Sequence, residues 1–252
     1  MNAADLIAAL DLPPGARVDR RVPKTLLVQH GAPTAADKRR INEGIEEMQW
    51  VATLKPTTIG VPAFRDVVRE YLEIAVLSVA IRDAANANRI AELIHRAVPY
   101  PVFLIMAEGA RLTLSLAHKR WSQGEAGGTV LEGEPVSVAM AALEPDGPQS
   151  SFHDSLSLGL QPRADLYLLY QGWVDTLLAL LASRVTGRFA VSPSREQAAA
   201  RRDALAECAR LNAEITRLRA AAAKEKQVPK QMSLNLELKR VEAARAAALT
   251  RL

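Results

Sequence analysis

The sequence is poor in the residues that most often carry chemistry. Among 252 residues there is one cysteine, Cys208, and there are four histidines. A single thiol excludes an internal disulfide framework and a cysteine-rich zinc site. His30, His95, His118 and His153 are scattered, and no HxxxH or HExxH spacing sets two ligands on one helix face, so no metal is expected. Aromatic residues make up 4% of the chain, too few for a base-stacking platform. The glycines give no phosphate loop: GEAGG at Gly124 lacks the Lys-Ser/Thr that should follow, and no GxSxG nucleophile elbow occurs. No cofactor is expected and no catalytic residue can be named. The opening MNAADLIAALDLPPG has neither a basic leader nor an apolar stretch, so no signal peptide is read and a cytoplasmic location is expected.

Long apolar runs are also scarce. One, Leu166 to Val185, approaches the length of a bilayer span. Asp175 lies near its middle, where a charge costs about 2.5–3.5 kcal/mol on insertion scales. Leu166, Leu169, Tyr170, Trp173, Leu177, Leu180 and Leu181 recur on one wide helical face, which predicts a buried core helix and no membrane partner.

What is present suits a globular protein: 49% of residues are apolar and 24% charged. The net charge of +4 is unevenly placed. From Ser194 onward there are thirteen Lys and Arg against seven Asp and Glu, a net of +6 that leaves −2 for the rest. This predicts an α+β core over residues 1–193 and a basic C-terminal helical arm over residues 194–252. Nucleic-acid contact and a merely solvated helix are both compatible with such an arm.

Along the chain, a short helix is predicted near Asn2–Leu10, then a first strand at VPKTLLV from Val22. Thr34 opens a helix with Asp37 three residues on, and Ile41, Ile45 and Met48 continue its spacing toward a strand at WVATLKP. Ile74–Ile81 is a nearly unbroken apolar run, as a central strand covered on both faces requires. A helix from about Asn86 turns Ile90, Leu93, Ile94 and Ala97 inward and stops before Pro99. PVFLIMA from Pro101 then completes a parallel βαβ unit. Glu108-Gly109 turns the chain into RLTLSLAHKR as a β-hairpin, so the sheet is mixed. PVSVAMAAL from Pro135 adds a strand, and Glu144–Pro162 reads as a surface connection.

In the arm, Ala204, Cys208, Leu211, Ile215, Leu218 and Ala222 keep the 4-3-4 spacing of a coiled-coil seam. KEKQVPK around Pro229 interrupts it, and a second helix is predicted from near Asn235. The seam suits a partner or the chain's own domain. Cations that would meet a partner or a phosphate backbone are Arg201, Arg202, Arg210, Arg217, Arg219, Lys224, Lys226, Lys230, Lys239 and Arg240.

A nuclease site would need an acidic residue and an ExK triplet on adjacent strands, to hold Mg²⁺ near a lysine. The only ExK, Glu237-Leu238-Lys239, lies in the arm, and Glu73 is followed by Ala75 where the lysine belongs. Lys119-Arg120-Trp121 ends the hairpin strand and Lys38-Arg39-Arg40 sits in a helix's first turns, each a weak candidate for phosphate contact.

VPKTLL, TAADKRRI, IEEMQWVATLKP, YLEIAVLSVAI, IHRAVPYPVFLI, LSLAHKR and KEKQVPKQMSLNLELKRVE occur in an order that resembles the bacterial domain-of-unknown-function family 4391, over Val22 to Leu249. The resemblance transfers no activity. It implies an accessory role beside SNF2-type helicases and DNA methyltransferases in restriction-like or antiphage defence, and it marks Pro23, Lys24, Asp37, Lys38, His95, Arg96, Pro99, Pro101, Lys119 and Arg120 as motif positions of unknown role. Glu73 stands beside them, at the entrance to the central strand. Three readings follow: a non-enzymatic accessory subunit that docks on a helicase or methyltransferase, a direct DNA- or RNA-binding protein, or a degenerate nuclease-like enzyme.

Overall fold

A computed structural model describes residues 2–82, 87–109, 111–124, 127–140 and 148–252. The chain divides into two compact units, Met1–Leu177 and Leu178–Leu252. The first is built on a mixed six-stranded sheet in the order β1-β2-β5-β6-β7-β10. Its strands are β1 (Arg17–Arg21), β2 (Ile45–Leu54), β5 (Ile74–Ile81), β6 (Val102–Glu108), β7 (Arg111–Leu116) and β10 (Val136–Met140). Two small sheets pair β3 (Phe64–Arg65) with β4 (Glu70–Tyr71) and β8 (Lys119–Trp121) with β9 (Thr129–Leu131). The helices of this unit are α1 (Ala3–Ala9), α2 (Lys24–Gly31), α3 (Ala35–Gly44), α4 (Pro56–Ile59), α5 (Ala87–Ala97) and α6 (Pro148–Asp154). The division between the units falls within α7 (Leu166–Thr186).

The fold is α+β, as the sequence predicts. The apolar run Ile74–Ile81 is strand β5, and it pairs in parallel with β6 across the α5 crossover. Alternate β5 residues serve opposite faces. Ala75, Leu77, Val79 and Ile81 join Ile90, Leu93 and Ile94 of α5 and Leu27 of α2 in one core. On β6, Phe103 meets Trp173 of α7 edge to face, with ring centroids 5.1 Å apart. Trp173 donates its indole N–H to the Leu156 carbonyl at 2.9 Å, so the large aromatic is buried without an orphaned donor. Thr34 caps α3 by accepting from the Asp37 amide, and the hairpin of β6 and β7 turns at Glu108–Arg111.

Several local expectations are corrected. VPKTLLV is not a strand: Pro23 precedes the first residue of α2, where its missing N–H costs nothing, and only Leu27 of the following turn is fully covered. The helix ends on Gly31, where an added Cβ would meet the Ala97 Cβ and the Leu93 carbonyl at 2.6 Å each. Glycine is what lets α2 approach α5 so closely. The first strand is instead Arg17–Arg21, exposed throughout, with a bulge between Arg17 and Arg20 and Asp19 at φ 48°. A short, bulged, arginine-rich edge is a form that resists pairing with another chain.

Helix α3 stops at Gly44, so Ile45 and Met48 belong to β2, which is longer than WVATLKP. Lys119–Trp121 does not extend β7 but forms β8 in a separate sheet. Within the stretch read as a loop over 144–162, α6 and a 3-10 turn (Leu158–Leu160) form, while 144–147 lie outside the described residues. So do Asn86 at the expected start of α5, Glu125 and Ala126 of the glycine-rich loop, and the 141–143 end of the last expected strand.

Helix α7 is the one helix, among the described residues, long and apolar enough to cross a membrane, with a mean hydropathy of 1.2 over its most apolar stretch. That stretch is 67% buried within the protein, as expected of a core helix.

The second unit contains a helical hairpin of α8 (Arg195–Lys224) and α9 (Val228–Leu249). Ser194 caps α8 by accepting from the Gln197 amide. The helix is broken within KEKQVPK as expected, at Glu225–Gln227, but Pro229 itself is helical. It lies in the first turn of α9, where it has no carbonyl partner to lose, so the second helix begins at Val228 rather than near Asn235.

Candidate functional site

Five of the candidate residues, Lys24, Asp37, His95, Arg96 and Lys119, are held in three internal bonding groups. In the first, Lys119 leaves β8 and is 2% exposed, with its ammonium donating to the carbonyls of His95 and Val98 at the end of α5. Helix C-termini leave carbonyls without intrahelical donors, and a cation there answers both the hydrogen-bond need and the helix dipole. Burial lowers the Lys119 ammonium to about 8. His95 itself is buried, its Nε2 3.0 Å from the Ser115 hydroxyl, which also accepts from Ser137 at 2.9 Å. Burial first, then the Lys119 charge, hold the imidazole down to about 3, so it is neutral.

Beside this group, Tyr170 of α7 accepts from the Ala117 amide and donates to the Val102 carbonyl, each at 2.8 Å, tying the residue that follows β7 to the start of β6. The Tyr71 hydroxyl lies 2.6 Å from His118 Nδ1, and burial raises the pKa of both phenols. Arg69 pairs with Glu132 at 2.9 Å and lies over the Tyr167 ring.

The second group joins α3 to α5. Asp37, 1% exposed, takes both arms of Arg89: Nε to Oδ1 at 3.0 Å and NH2 to Oδ2 at 2.9 Å. Thr34 donates to the same carboxylate at 2.8 Å and Arg40 at 3.2 Å. The Arg89 hydrogen bond, outweighing burial, holds the Asp37 carboxyl down to about 2. Arg96 and Arg89 share Glu92, at 2.6 and 2.7 Å.

The third group closes the end of α3. Lys24 donates to the carbonyls of Asn42 and Ile45, and Arg82 to that of Glu43. Burial and the neighbouring Arg82 and Arg21 lower the Lys24 ammonium. Two motif lysines, distant in sequence, therefore do the same work on two helices.

The remaining candidates are not brought together with these. Glu73 pairs with Lys55 at 3.0 Å, and that bond raises the Lys55 ammonium. Arg120 donates to the Trp121 carbonyl at 3.2 Å, and Lys38 is exposed. Among the described residues no group of three or more His, Cys, Asp or Glu is placed to hold a metal ion. An apolar cleft of about 190 Å³ lies among Leu26, Met48, Trp50, Val98 and Tyr100, where α2 and the end of α5 flank the sheet.

In the hairpin, the predicted seam is real: Ala204, Cys208, Leu211, Ile215, Leu218 and Ala222 are all buried. Cys208 and Leu211 pack against Val241, Ala248 and Leu249 of α9. The predicted cations separate into two sets. Arg210 pairs with Glu207, Arg217 with Glu214 and Arg219 with Glu242, at 2.7, 2.5 and 2.7 Å. Arg201 donates to the carbonyls of Ala190 and Leu252. Arg202, Lys224, Lys226, Lys230, Lys239 and Arg240 are exposed and make no ion pair among the described residues. Three of these, Lys224, Lys226 and Lys230, surround the tip of the hairpin, where α8 ends and α9 begins.

A family model for a domain of unknown function, DUF4391, matches residues 10–244. The chain belongs to this family. The DUF4391 match reaches across both units, from the end of α1 into α9. Neither a curated protein nor a solved structure gives a significant match to the chain.

Spacing alone missed Arg89, Ser115, Ser137, Tyr71 and Tyr170. Their partners lie 20 to 68 residues away in the chain, and only the fold brings them together. The available signal was indirect: Arg89 and Arg96 flank Glu92 at helical spacing, which marks a charged stripe on α5.

Proposed function

We propose that this DUF4391 chain is a non-enzymatic accessory subunit of a bacterial DNA-processing system, restriction-like or antiphage, and that it docks on a helicase or DNA methyltransferase. The observation that carries this reading is the division of labour among polar residues. The motif residues Lys24, Asp37, His95 and Lys119 are committed to helix ends and buried bonds within the fold. Side chains so occupied are poorly suited to take up a substrate. The hairpin, by contrast, offers exposed cations and exposed aliphatic side chains on the same helix. The test is co-expression of the full chain with the products of neighbouring genes. A stable complex with a helicase or methyltransferase is expected, and the absence of any complex contradicts the reading.

A second reading, direct binding of DNA or RNA, is favoured by the six exposed cations without ion-pair partners. Nucleic-acid affinity should then fall steeply with salt, and Lys224→Glu/Lys226→Glu/Lys230→Glu should abolish it. Affinity unchanged in that variant rules this reading out.

A further inference from the structure

Helix α9 has two apolar faces, and only one of them is covered. Leu238, Val241 and Ala248 lie on the side nearer α8, with Val241 and Ala248 in its core. At 100° per residue, Met232, Leu236, Ala243 and Ala247 fall on the opposite side, and Val228 begins the same stripe. Val228, Met232 and Leu236 are 65%, 61% and 59% exposed. Large aliphatic side chains at i, i+4 and i+8 that remain this exposed mark an interaction surface rather than isolated surface apolars.

The charges around the stripe select its occupant. Lys239 and Arg240 follow Leu236 by about one helical turn and close the C-terminal end of the aliphatic face, while Glu237 points about 100° away from Leu236. Glu242 is moreover engaged by Arg219 of α8. An apolar strip joined by two exposed cations without ion-pair partners among the described residues complements an amphipathic helix whose apolar face is accompanied by Asp and Glu. A second copy packed in parallel fits less well, since it brings Lys239 and Arg240 against the same two cations. Nucleic acid would find no ring to stack on, because α9 contains no aromatic residue. A lipid surface would meet only three large aliphatic side chains, without the Trp or Phe that anchor interfacial helices.

We propose that the α9 face formed by Val228, Met232 and Leu236, with Lys239 and Arg240 at its C-terminal end, docks an acidic amphipathic helix of a partner protein. This rests on the accessory-subunit reading and names the chemistry of the partner. The probe is a designed helical peptide with leucines at i, i+4 and i+8 flanked by glutamates, together with its lysine-flanked counterpart. Fluorescence anisotropy with the full-length chain should show the acidic peptide binding at least about tenfold more tightly than the basic one, and weakening with salt. Met232→Glu/Leu236→Glu should remove binding, with the circular dichroism spectrum unchanged because both positions are exposed. Equal binding of the two peptides, no binding of the acidic one, or retention in the variant overturns the proposal. So does a dimer, or adsorption to anionic phosphatidylserine vesicles or to duplex DNA, that this variant abolishes. Failure of the peptide test with a stable complex in the co-expression experiment sinks the proposed face and leaves the accessory role standing.

Discussion

The ammonium of Lys119 donates to the carbonyl of His95, across 24 residues of sequence, and so fastens β8 to the last turn of α5. The same imidazole residue reaches Ser115 on β7 with its side chain. The segments IHRAVP and LAHKR of this chain thereby become one structural joint. Both segments therefore have work to do within the fold.

Replacing Lys119 with Met tests the joint. The substitution keeps much of the volume but leaves the His95 and Val98 carbonyls without their donor, at roughly 1–3 kcal/mol for each buried group left unsatisfied. The urea midpoint should fall with little change in slope. The pH dependence carries its own sign. Lys119 titrates near 8 in the folded chain, below its ordinary 10.5, so the fold binds fewer protons between these values. This group's contribution therefore rises with pH from about 8 to 10.5 in the wild type, and Lys119→Met should lack that rise.

His95 gives an acid-side counterpart. Its folded value near 3 lies below the ordinary 6.5, so its contribution is complete above 6.5 and is lost as pH falls toward 3. His95→Gln places an amide nitrogen near the position of Nε2 and does not titrate. Stability measured by urea unfolding should lose this part of its slope between pH 6.5 and 3, and an unchanged slope contradicts the assignment.

The Asp37–Arg89 pair should behave as a coupled unit. Asp37→Asn leaves the Arg89 guanidinium facing a neutral amide, and the melting temperature should fall more than for the exposed control Lys38→Asn. A double-mutant cycle with Arg89→Met should give less than the sum of the single effects, whereas simple additivity would mean the two residues act apart. Because the Asp37 carboxyl is lowered from 3.8 to about 2, its contribution is present above 3.8 and disappears as pH falls through 2.

How much of this was legible in the sequence depended on the range of the interaction. The β5 run Ile74–Ile81, the Thr34 cap and the Ala204–Ala222 seam are local patterns, and each predicts its element. Proline was ambiguous, because a missing N–H suits the start of a helix as well as the start of a strand. Both Pro23 and Pro229 proved to be helix starts. Strand β1 gave no signal, since an edge strand exposed on every residue shows no alternation. The bonds of Lys119, Asp37 and Tyr170 were hidden for a stronger reason. Each joins segments that only the sheet order brings together, and an isolated Lys or Tyr carries no mark of its partner. The cation set of the arm was visible as charge, but ion pairing divides it between Arg210, Arg217 and Arg219 and the exposed remainder.

The outer face of α9 is where we propose that this DUF4391 chain docks a protein partner. The most direct measurement is co-purification of the full chain, wild type and Met232→Glu/Leu236→Glu, with co-expressed products of neighbouring genes. A stoichiometric complex is expected for the wild type, and the variant should lose it while remaining folded. A variant that retains the partner, or a wild type that captures none, contradicts the proposal.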